Sequence, residues 1–97
     1  MTEQKGALQG EDLKKALGQL DGWALVDGPQ IEKEYRFPDF AAALAFVNRL
    51  GEAAEAQGHH PDVFLTWGRV KVTLSTHSAG GLTASDFKLA AQADAVR

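Results

Sequence analysis

Apolar residues recur along this chain with two periods, and the switches between them mark out seven elements. Leu13, Ala16, Leu17 and Leu20 follow helical spacing, with Glu11 and Asp12 where first-turn acids meet the helix dipole and Gly22 as a stop. Residues 1–9 read as a loose lead-in. Trp23 to Val26 reads as a short strand, and Asp27-Gly28-Pro29 as a turn. Ile31, Lys33, Tyr35 and Phe37 alternate with Gln30, Glu32, Glu34 and Arg36, which predicts a strand with one mostly apolar face. Pro38-Asp39 opens the longest helix, with Asp39 as N-cap and an apolar stripe of Phe40, Ala43, Leu44, Val47, Leu50 and Ala54. Gly58 is its expected end. Gly51 inside it costs about 1 kcal/mol relative to alanine, so a close packing contact is expected there. Val63, Leu65 and Trp67, then Val70, Val72 and Leu74, form two alternating strands around Gly68-Arg69, and Thr83-Ala-Ser-Asp86 resembles a capping box that opens a last helix.

The order helix, two strands, helix, two strands, helix predicts an α+β fold: a four-stranded antiparallel sheet with helices packed on one face, in the order α-β-β-α-β-β-α. The whole chain, 1–97, is one domain. A Gly68-Arg69 turn would pair Trp67 with Val70, Leu65 with Val72 and Val63 with Leu74, all on the core face. Continued, the same register brings His60 opposite His77 on the other face, where opposed Cβ atoms lie about 5 Å apart.

Composition narrows the chemistry. The formal net charge of −3 argues against nucleic acid as a direct partner, because phosphate contacts need a basic surface. The chain has no cysteine, which removes disulfides, thiolate catalysis and thiolate zinc sites. No apolar run approaches the roughly 20 residues of a membrane span, and Met1 to Gln9 lacks the apolar stretch of a signal peptide. A cytoplasmic location is expected.

All three histidines fall between positions 59 and 77. Histidine titrates near neutral pH, so such a cluster points to proton transfer or metal binding. Three readings stay open on the residues alone: surface histidines, a three-imidazole metal site, and a metal-free acid/base site. Adjacent His59 and His60 point apart on extended backbone, which counts against one shared ion. Glu55 and His59 are four apart across the helix end and are expected to pair, the acid favouring a protonated ring. Asp86 reads most simply as a helix N-terminal residue, and Trp23 and Trp67 as core.

The intervals have a further meaning. Three residues separate Glu55 from His59, and His60 and Pro61 follow directly. Five then lead to Trp67, nine more to His77 and eight more to Asp86. This arrangement resembles the signature of the pterin-4a-carbinolamine dehydratases at every position. Gly22-Trp23, Phe37-Pro38-Asp39-Phe40, Leu74-Ser75-Thr76-His77 and Gly81-Leu82-Thr83 also look like that family, so the resemblance covers nearly the whole chain. It implies removal of water from 4a-hydroxytetrahydropterin to give quinonoid dihydropterin. That reaction recycles the pterin spent by aromatic amino acid hydroxylases. It implies His59, His60 and His77 as catalytic groups, with Glu55, Pro61, Trp23 and Asp86 at the substrate, and neither metal nor cofactor. It also implies a homodimer or homotetramer, for which a free sheet edge and the alanines Ala41, Ala42 and Ala45 are suited. The rival reading is a non-catalytic dimerisation or protein-binding module on the same fold.

Overall fold

The computed structural model describes residues 6–97; the first five positions of the expected lead-in lie outside the described residues. The elements are α1 (Gly10–Gly18), β1 (Ala24–Val26), β2 (Gln30–Arg36), α2 (Phe40–Gln57), β3 (Asp62–Thr66), β4 (Arg69–Leu74) and α3 (Ala84–Val96), with a single 3-10 turn at His77–Ala79. The α-β-β-α-β-β-α order and the four-stranded antiparallel sheet agree with the sequence reading. The strands lie in the order β1-β2-β4-β3, which leaves β3 at an edge. α1 stops at Gly18, earlier than the expected Gly22, and contributes no fully buried residue.

The core forms where the alternating strands meet the two long helices. Ile31 and Tyr35 from β2 and Val70, Val72 and Leu74 from β4 are buried with Ala43, Phe46, Leu50 and Ala54 of α2 and Leu89, Ala90 and Ala93 of α3. The Phe46 ring lies between Tyr35 and Phe37, at centroid distances of 4.7 and 5.3 Å. The buried face of α2 therefore keeps Ala43, Leu50 and Ala54 of the expected stripe but takes Phe46 in place of Phe40 and Leu44. Phe40 and Leu44 are 45% and 39% exposed, while Phe46 is fully buried. Apolar residues surround much of this helix, so its periodicity does not single out one face. Asp39 caps α2 as expected, accepting from the Ala42 amide at 2.8 Å. Gly58 ends it in the left-handed conformation (φ 70°) that glycine adopts without steric cost.

The β3–β4 hairpin turns one residue earlier than expected. Thr66 faces Arg69, Leu65 faces Val70 and Val63 faces Val72, so the turn residues are Trp67 and Gly68. Gly68 does not serve a left-handed turn. It lets the chain pass Phe37, whose amide donates to the Gly68 carbonyl at 2.8 Å, and a Cβ there would lie 2.7 Å from the Phe37 oxygen. The two-residue shift keeps the faces of the strands but cancels the opposition of His60 and His77. β3 begins only at Asp62, after a proline that donates no ladder bond, and His77 opens the 3-10 turn beyond β4. Trp67, expected in the core, sits at the hairpin tip and is 67% exposed.

Candidate functional site

Gly58 turns the chain sharply as α2 ends, and the two histidines that follow go to different partners. His59 is half-buried, and its Nε2 lies 2.6 Å from Asp86 Oδ1 at the first turn of α3. His60 is exposed, and its Nε2 lies 2.6 Å from Glu55 Oε2. The expected Glu55–His59 pair is thus replaced by Glu55–His60 and Asp86–His59. The i, i+4 geometry needs continuing helix, and the left-handed residue at Gly58 carries His59 off the face on which Glu55 sits.

Asp86 is the one fully buried polar or charged residue among the described residues. Its desolvation is offset by three donors. Oδ1 meets His59, and Oδ2 accepts from Thr76 Oγ1 at 2.7 Å and from the Thr83 amide at 2.9 Å. The last contact is one arm of the expected capping box, in which aspartate does the work usual for glutamate. Bonded in this way, Asp86 accepts at both oxygens. A neutral His59 would then carry its proton on Nε2 and leave Nδ1 as a lone pair.

The strand-end loop supplies the third histidine. The Thr76 amide donates to the Gly81 carbonyl at 2.7 Å, and the Gly80 amide donates to the His77 carbonyl at 3.0 Å. These bonds close a short loop that presents His77 on the surface.

An open groove of about 900 Å³ runs between α2 and the start of β3, with Val47, Gly51, Glu55, His60, Pro61 and Val63 among its walls. This volume is in the range of small-molecule sites. His59 and His77 are not among its lining residues. Gly51 makes no close packing contact within the chain, since a Cβ there would meet nothing within 4 Å.

Trp23 lies elsewhere. It is buried, and its Nε1 donates to Asp94 Oδ2 at 3.2 Å. Asp94 also takes Lys33 Nζ at 2.9 Å and the Tyr35 hydroxyl at 2.5 Å. Asp94 is two turns beyond Asp86, about 12 Å along α3. Burial pushes the Tyr35 hydroxyl well above its ordinary pKa, and the Asp94 hydrogen bond and charge add to this, with Arg97 opposing. This cluster ties α3 to β1 and β2. Nothing in the sequence flagged Asp94, because a lone acid late in a helix has no local signature. Thr76 was missed for a different reason: it was visible only as the residue before His77.

The family model for pterin 4 alpha carbinolamine dehydratase matches residues 6–96. The chain belongs to this family. It is 49% identical over 87 residues to a protein of Rubrobacter xylanophilus provisionally named as a pterin-4-alpha-carbinolamine dehydratase, covering 90% of this chain and 81% of the relative. The crystal structure of a transcriptional coactivator/pterin dehydratase from Brucella melitensis superposes with a TM-score of 0.89 at 39% identity, covering 94% of this chain and 98% of that one. A pterin dehydratase-like protein identified as a RuBisCO assembly factor in the alpha-carboxysome has a TM-score of 0.67 at 24% identity, over 78% of this chain and 89% of that one. At that identity the likeness is one of fold alone. Among the described residues no helix is long and apolar enough to cross a membrane.

Proposed function

We propose that this chain dehydrates 4a-hydroxytetrahydropterin to quinonoid dihydropterin by histidine acid/base catalysis, without metal or cofactor. It would act in the cytoplasm as a homodimer or homotetramer, recycling the pterin of aromatic amino acid hydroxylases. Hydroxide is a poor leaving group. One group must protonate the 4a-hydroxyl so that it departs as water, while another takes the N5 proton as the C4a–N5 double bond forms. Positioned acids and bases contribute about 10²–10⁴-fold to such a step.

The observation that carries this reading is the pair of adjacent imidazoles, each 2.6 Å from its own carboxylate, with His60 opening onto a groove of ligand size. In the proposal His60 and His77 flank the pterin as proton donor and acceptor, and His59 on Asp86 is the second candidate acid. Glu55 orients His60, Pro61 fixes the backbone that presents it, and Asp86 holds His59, whereas Trp23, bonded to Asp94 away from the groove, takes no part.

The rival reading, a non-catalytic dimerisation or protein-binding module, draws on the exposed Phe40, Leu44, Val63 and Trp67. Association would cover these side chains. Stopped-flow absorbance of 4a-hydroxytetrahydropterin, with and without the protein, separates the two. Dehydratase activity requires faster decay with wild type, and at least a tenfold lower rate with folded His60→Ala or His77→Ala. No acceleration by folded wild type favours the module.

A further inference from the structure

We infer that Thr76 is a positioning residue whose hydroxyl links the loop of His77 to the carboxylate that holds His59, so that the two rings are set against each other. The inference rests on the dehydratase reading of these histidines, and it concerns a residue to which the signature gives no part.

Three ties meet at this one threonine. Its backbone bridges Gly81 in an antiparallel pair, which closes the loop that begins with His77. Its Oγ1 donates to Asp86 Oδ2 at 2.7 Å. The same oxygen lies 2.9 Å from Thr83 Oγ1, at the N-cap of α3. Hydroxyl protons are mobile, but the geometry favours one arrangement. Thr83 donates to Thr76, and Thr76 donates to the charged Asp86, because a hydrogen bond to an ionised acceptor is the stronger one. Asp86 then has Oδ2 fixed by Thr76 and the Thr83 amide, which leaves Oδ1 directed at His59 Nε2. Without the Thr76 hydroxyl the carboxylate keeps one fewer anchor, and the His77 loop keeps its backbone bridge but loses its tie to α3.

A capping role alone would require only Thr83 and Asp86. The Thr76 hydroxyl satisfies no backbone amide of the first turn of α3, and the Thr83 amide already has Asp86 as its acceptor. What it adds is the connection between two loops that each carry a histidine. Acid and base must be held in relative register to act on one substrate, and a misplacement of about 1 Å can cost on the order of 10²-fold.

The test compares Thr76→Val, which keeps the shape, with Thr76→Ser, which keeps the hydroxyl. The expected result is a kcat at least tenfold lower for Thr76→Val with KM changed less than threefold, and Thr76→Ser within threefold of wild type in both. Nitrogen-15 spectra of the imidazoles supply a readout independent of turnover: the His59 and His77 ring signals should both move in Thr76→Val and both stay in Thr76→Ser. Should the valine variant not fold, Thr76→Ala gives the same comparison. A kcat within threefold of wild type for Thr76→Val, or equal losses in the valine and serine variants, or ring signals that move for one histidine alone, would overturn the inference. Should wild type itself prove inactive, the dehydratase reading fails, and the ring signals alone decide whether Thr76 couples the two loops.

Discussion

Replacing Asp86 tests the central contact of the site as a matter of stability, without reference to any reaction. In Asp86→Ala the side chain of His59, the Thr76 hydroxyl and the Thr83 amide all lose an acceptor. Bonds to a charged acceptor are worth about 1.5–3 kcal/mol each. They do not add, because the wild-type carboxylate is fully buried and bears a desolvation cost that alanine lacks. Breaking a buried pair typically costs about 3–5 kcal/mol, and that is the expected loss. Against a total stability of about 5–15 kcal/mol it is a large fraction. At about 4–8 °C per kcal/mol for a domain of this size, it lowers Tm by more than about 12 °C. Asp86→Asn keeps the shape and one acceptor oxygen, so it should lose only about 1–2 kcal/mol. Urea unfolding followed by tryptophan fluorescence measures both, since Trp23 is buried and reports the transition, while Trp67 is already exposed. A loss below about 1 kcal/mol for alanine would mean that the three bonds are not formed together in solution. Equal losses for alanine and asparagine would mean that packing, and not acceptor capacity, is what Asp86 supplies.

The buried face of α2 is checked by Phe46→Ala, expected to cost about 3–5 kcal/mol, against Phe40→Ala, expected to cost less than about 1 kcal/mol; comparable losses would mean that the helix is rotated. Gly51→Ala should raise stability by about 0.5–1 kcal/mol, since its Cβ meets no atom of the chain within 4 Å. A loss in the same urea assay would mean that a second copy lies against that face, and sedimentation with and without the substitution would detect it. Tyr35 is the one tyrosine of the chain, so phenolate absorbance reports it alone. Its folded pKa lies above its unfolded value of 10.0, which makes its contribution to stability complete below about pH 10 and progressively lost as pH rises above that. Phenolate appearing near pH 10 while the protein is still folded would refute the burial argument.

Much of the fold was legible because its signals are local. The alternation of β2 and β4, the Asp39 cap and the Thr83–Asp86 box are all read within a few residues, and they fixed the element order. What was not legible depended on partners distant in sequence. The face of α2 was legible only in part: Ala43, Leu50 and Ala54 are buried as expected, but Phe40 and Leu44 are as apolar as Phe46, and only the aromatic contacts to Tyr35 and Phe37 distinguish them. The hairpin register was not legible because glycine reads as the first residue of such a turn, whereas Gly68 is the second, after Trp67, and its lack of a side chain answers to Phe37. For the site, the i, i+4 spacing at the end of α2 did not give the right couples. It placed Glu55 with His59, and it gave no sign that Thr76 would join Asp86.

The left-handed Gly58 has a consequence for how this segment tolerates insertion and deletion. The bonded pair is Glu55 with His60, five positions apart, so the spacing from Glu55 to His59 measures where the helix stops and not which side chains meet. One residue added within the last turn of α2 would rotate everything beyond it by about 100°. The buried partner of Asp86 and the exposed partner of Glu55 would then be exchanged or lost, even with every residue of the motif still present. Length variation should therefore be excluded from 55–60 and tolerated at the exposed hairpin tip around Trp67. A library of single-residue insertions, sorted for folded protein, would reveal that contrast as a sharp gap in the first stretch.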